Sequence, residues 1–118
     1  MRTLLLLGVV LLLAGCAGTE VWSGDVYCVA GRDCDIKMGR AYDFVEKHSL
    51  VGMRVANSRS IMTKNTQNEN IFLEFTVHKK AVDQKNDLIS MSVMCASFTG
   101  CTGDPHAMAD AMLKYVNP

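Results

Sequence analysis

Ile71-Phe72-Leu73-Glu74-Phe75-Thr76-Val77-His78 is the clearest run of period 2 in the chain, with Ile71, Leu73, Phe75 and Val77 alternating against Phe72, Glu74, Thr76 and His78. Successive side chains of a strand point to opposite faces, so this stretch reads as a strand with one apolar and one more polar face. Ile89, Met91, Val93 and Cys95 alternate with Ser90, Ser92 and Met94 in the same way. Lys79 to Asp87 supplies the turn, and the two strands are expected to pair antiparallel with their apolar rows on one side.

Outward from this pair the elements follow from local chemistry. Upstream, the polar cluster Asn65 to Asn70 is a loop by composition, and Met53 to Ala56 and Ser60 to Lys64 read as two short strands around the turn Asn57-Ser58-Arg59. Before them, Asp33 to His48 is helical: Met38, Ala41, Tyr42 and Val45 form one stripe, Asp33 or Asp35 can cap its start, and Asp43 and Lys47 stand four apart. Downstream, the loop Ala96 to Gly103 leads into Asp104-Pro105, a cap followed by proline at the first helical position. Met108, Ala111, Met112 and Tyr115 give that closing helix a stripe, and Asp110 and Lys114 an ion pair. The order α-β-β-β-β-α predicts an α+β two-layer sandwich, an antiparallel sheet of three or four strands with two helices on one face.

The amino-terminal end is a different kind of sequence. Met1-Arg2-Thr3 is a short positive start, and Leu4 to Leu13 is an apolar run interrupted only by Gly8. A run of about 10 apolar residues falls short of the roughly 20 that span a bilayer, and it lacks the polar face of a core helix, so it reads as a secretory signal. The stretch Leu13-Ala14-Gly15-Cys16 resembles the lipobox of bacterial lipoproteins. That resemblance implies removal of residues 1–15, acylation of Cys16 with palmitate-type chains, and anchoring to a membrane by more than one chain, which makes attachment durable. Ala17 rather than Asp after Cys16 resembles the pattern passed to the outer membrane, so the resemblance implies a lipid-anchored protein facing the periplasm. The region from Cys95 onward also resembles small proteobacterial outer-membrane lipoproteins, a likeness that implies no activity. Residues 16–27, with two glycines and no helical period, read as the lipidated cysteine and its tether, and residues 28–118 as a single domain.

Assigning Cys16 to lipid leaves Cys28, Cys34, Cys95 and Cys101, an even set that reads as two disulfides in an exported chain. Four cysteines allow three connectivities, and the sequence does not select one. The matched C-x5-C spacing, with Gly31 and Gly100 inside, favours two local bridges.

The same parity argues against a resting thiol nucleophile, although Cys34 near a helix start and Cys101 five residues before His106 would otherwise suit one. The chain lacks the glycine spacing of a phosphate cradle and the ligand spacing of common zinc sites. The seven methionines left after the signal would suit copper, but Met91 and Met94 point to opposite faces and Met108 and Met112 lie on the helix stripe, so core filling accounts for them. No cofactor or metal is expected. Removing 15 of the 118 residues leaves 103, and without Arg2 the mature chain carries 11 Lys and Arg against 12 Asp and Glu. That balance argues against nucleic acid as a partner.

The sequence therefore predicts a non-enzymatic, lipid-anchored envelope protein with a protein partner. The expected interaction surface is the more polar sheet face, with Glu74, Thr76, His78, Ser90 and Ser92, together with Phe98 in the loop after the last strand. Two other readings stand beside it: an inhibitor or immunity protein that blocks a hydrolase entering the periplasm, and a thiol or redox enzyme.

Overall fold

A computed structural model describes residues 20–64, 72–96 and 100–118. The chain is α+β, with the order β1 (Glu20–Val29), α1 (Arg32–His48), β2 (Met53–Ala56), β3 (Ser60–Thr63), β4 (Glu74–Ala81), β5 (Asn86–Cys95) and α2 (Pro105–Val116). The strands form one open, antiparallel, five-stranded sheet in the order β1-β5-β4-β3-β2.

The founding pair keeps its alternation with shifted bounds: β4 begins at Glu74 and runs to Ala81 and β5 starts at Asn86, so the turn is residues 82–85 and not Lys79 to Asp87, and Ile71 lies outside the described residues. Phe75 lies opposite Val93 and Val77 opposite Met91, and all four are buried. Ile61 joins Val77 from β3, and Val26 joins Ile89 from β1. This row and the buried residues of both helices form one core: Cys34, Met38, Ala41, Phe44 and Val45 from α1, and Ala109, Met112 and Val116 from α2. Phe44 meets Phe75 edge-on with ring centroids 6.4 Å apart, tying helix to sheet at the centre. Thr63 is the one polar residue buried among those described; its Oγ1 accepts the Phe75 N–H at 3.0 Å, so a side chain serves that backbone group at the end of the β3–β4 ladder.

The strand count corrects the expectation of three or four. The extra strand is β1, formed by residues 20–29 where a tether was expected through residue 27, and it pairs along its whole length with β5. Its covered row is Trp22, Gly24, Val26 and Cys28, and its other row includes Val21, Tyr27 and Val29. Apolar residues therefore stand on both faces, and the covered row contains a glycine, which hides the period-2 signal. Gly24 is there for space: a Cβ at this position would fall 2.5 Å from Leu113 Cδ1 of α2.

The helices keep their bounds but not every contact. On α1, Phe44 is buried and Tyr42 is exposed, and the ion pair is Asp33 with Lys37 at 3.3 Å rather than Asp43 with Lys47. The N-cap position is Gly31 at φ 102°, where no side chain caps the helix, so neither Asp33 nor Asp35 takes that role. On α2, Asp104 does cap, accepting the His106 N–H at 3.0 Å. Ala109, Met112 and Val116 face inward, whereas Ala111 and Tyr115 are exposed, and Asp110 lies 3.5 Å from His106 instead of pairing with Lys114. Both stripes satisfy helical spacing, and Leu113, which lies over Gly24, sits beside the inward one.

The cysteines pair locally, Cys28 with Cys34 and Cys95 with Cys101. The first bridge ties the end of β1 to the first turn of α1. The second closes the loop that leaves β5. Among the described residues no helix is long and apolar enough to cross a membrane.

Candidate functional site

Neither helix covers the second face of the sheet, and register decides what stands there. Thr76 lies opposite Ser92, and Ser92 opposite Ser23. In the next row Ser60, His78, Ser90 and Asp25 stand side by side across β3, β4, β5 and β1. Glu74 lies opposite Met94, which lies opposite Val21. The residues expected from sequence, Glu74, Thr76, His78, Ser90 and Ser92, are thus brought to one surface, and Ser23, Asp25 and Ser60 extend it. Those three were missed because they sit on a short strand and on the stretch read as a tether; only the strand pairing puts them in line. Phe98 and Cys16 lie outside the described residues.

The centre of this face is a field of short hydroxyls and one imidazole. Ser60 Oγ lies 2.9 Å from His78 Nδ1, which holds the exposed ring beside β3. Apolar residues flank it: Tyr27, 66% exposed, with Val29 and Leu88 toward one end, Val21 and Met94 toward the other, and Met62 beside Thr76 on β3. A hydrogen-bonding centre with an exposed tyrosine and aliphatic borders suits a protein surface better than a small molecule, since none of the clefts among the described residues is lined by its hydroxyls or its imidazole.

Three clefts among the described residues lie elsewhere. A cleft of about 240 Å³ between α1 and the β2–β3 turn is lined by Met38, Gly39, Tyr42, Ala56 and Ile61 among others. A neighbouring one of about 310 Å³ shares Tyr42 and Ala56 and adds Val45, Val51 and Met53. Arg59, Lys79 and Lys80 converge with Asp87 on a hollow of about 350 Å³ at the end of the sheet. The Cys28 and Cys34 sulfurs and the Asp87 carboxylate lie within 4.8 Å of one another, but both sulfurs are bonded to each other and offer no thiolate to a metal.

Among the described residues two carboxylates are held below their ordinary range, and both act on backbone. Asp33 accepts the Val29 N–H at 2.8 Å, which is the main cause, and Lys37 beside it adds to the effect. Asp83 accepts the N–H groups of Lys85 and Asn86 in the β4–β5 turn. Because the folded pKa of Asp33 lies below its unfolded value, its contribution to stability is complete above the unfolded value of 3.8 and is lost as pH falls through the folded one. Asp33→Asn should therefore flatten the acid limb of a melting-temperature profile taken from about pH 6 to about pH 2. Parallel profiles for the two proteins would show that the charge on Asp33 does not stabilise the fold.

Compared with protein-family models, curated proteins and solved structures, the chain matches none.

Proposed function

We propose that this chain is a lipid-anchored protein of the bacterial envelope that binds a protein partner through the uncovered face of its sheet. The observation that carries the binding role is the convergence of half-buried Thr76, Ser90, Ser92 and Ser60 with exposed His78, Ser23 and Asp25 on one face of the sheet, bordered by Tyr27 and Leu88. The address is supported by the stretch Leu13-Ala14-Gly15-Cys16, and the two disulfides agree with an oxidising compartment. The staple between Cys95 and Cys101 also favours a second reading, in which the loop it closes enters the active-site cleft of a hydrolase and inhibits it.

The test uses the full chain expressed in a bacterial envelope with radioactive palmitate and a photo-crosslinking side chain at position 78 or, as control, at Glu46 on the exposed side of α1. Label on the wild type and none on Cys16→Ser, with release of that variant from membranes, is the expected result for the anchor. Unchanged membrane retention would refute it. A crosslinked protein from position 78 and not from position 46 supports the sheet face as the binding surface; equal yields overturn it.

A further inference from the structure

The two edges of the sheet differ. At one edge β2 spans four residues and carries a register irregularity between Met53 and Val55, and short, irregular edges resist pairing with another chain. At the other, β1 runs for ten residues.

Which groups of β1 are open follows from ladder parity. The Ala30 N–H donates to the Lys85 carbonyl at 2.8 Å, continuing the β1–β5 register, so even-numbered residues of β1 direct their backbone groups toward β5 and odd-numbered residues direct theirs outward. Two contacts agree. The outward Val29 N–H is taken by Asp33, and the outward Tyr27 carbonyl accepts from Lys37 Nζ at 3.1 Å. The first turns of α1, held against β1 by the Cys28–Cys34 bridge, therefore cap the carboxyl end of this edge. Among the described residues nothing caps the N–H and C=O groups of Val21, Ser23 and Asp25 in this way.

We infer that this uncapped stretch pairs antiparallel with the same stretch of a second copy, about a two-fold axis through Ser23. Self-complementarity argues for that occupant. Centred on Ser23, the register sets Val21 opposite Asp25, Ser23 opposite Ser23 and Asp25 opposite Val21, so every open group meets an open group and about six N–H···O=C bonds form. Centred on Gly24, it would set Val21 against Tyr27, whose carbonyl Lys37 already holds. The side chains agree as well. Trp22, 41% exposed and stacked on His106 at 4.2 Å, would come opposite Gly24 of the other copy, beside the Leu113 that covers it. Leu113 already occupies the space over that glycine, so the exposed Trp22 ring would pack against Leu113, an aromatic against an aliphatic side chain on one face. The inference rests on β1 alone and not on the lipid anchor or the open face.

The test uses disulfide trapping in the full chain. Cα atoms of an antiparallel hydrogen-bonded pair stand about 5.5 Å apart, within the reach of a disulfide. Ser23→Cys should give a covalent dimer on oxidation; Val21→Cys and Asp25→Cys should each give none alone and a dimer when mixed. Ser23→Pro removes only an outward N–H at an edge, which the fold tolerates, so it should leave the melting temperature near that of the wild type and abolish the dimer in sedimentation. A wild type that stays monomeric at every concentration overturns the inference. So does a dimer that survives Ser23→Pro, and so does trapping of Ser23→Cys on a different protein.

Discussion

Phe75→Ala should lower the free energy of unfolding by roughly 3–5 kcal/mol, the cost typical of emptying a phenylalanine site that cannot collapse. Phe75 is 1% exposed, stands between Thr63 and Val93 in the covered row, and receives the edge of Phe44. Neighbours on two strands and one helix hold the space open. The N–H of the same residue is satisfied by Thr63 Oγ1, so a shift of β4 to fill the void would also strand a buried donor. Tyr27→Ala on the open face provides the contrast, with a change within about 0.5 kcal/mol, because a surface position leaves no cavity. Urea unfolding with unchanged slopes measures both. A loss below about 1 kcal/mol at Phe75 would mean that the sheet and α1 pack about some other centre.

What could be read from the sequence follows how each signal arises. The alternation in β4 and β5 survives because those strands have one covered and one open face, so burial and sequence share a period. Asp104-Pro105 was legible because a cap is a local event, decided within three residues. β1 was not legible, since its pattern depends on partners far away in the chain. Gly24 makes sense only once Leu113 lies over it, and Val21, Tyr27 and Val29 are apolar at positions that face solvent. The candidate surface divides the same way. Thr76, His78, Ser90 and Ser92 follow from alternation, while Ser23, Asp25 and Ser60 enter only through strand register. Asp33 marks the limit of cap reading: it sits where a cap is expected, yet its carboxylate serves Val29 on the neighbouring strand.

Removing the two bridges one at a time should separate entropy from packing. Each spans a sequence separation of 6, so the loop-closure contribution, about 2 kcal/mol, is the same for both. Any difference between the paired variants must come from the native state. Cys28 and Cys34 are 2% and 0% exposed and belong to the core, whereas Cys101 is only partly buried. Cys28→Ala with Cys34→Ala should therefore cost roughly 3 kcal/mol or more, and Cys95→Ala with Cys101→Ala nearer the loop-closure figure of about 2 kcal/mol. The first bridge also holds Asp33 and Lys37 against the edge of β1, so its loss should speed exchange of the Val29 amide hydrogen well beyond that of Ile89 in the sheet interior. Equal losses in urea unfolding for the two pairs would show that the buried sulfurs add nothing to the core. A Val29 amide as protected in the variant as in the wild type would show that α1 caps the edge without the staple.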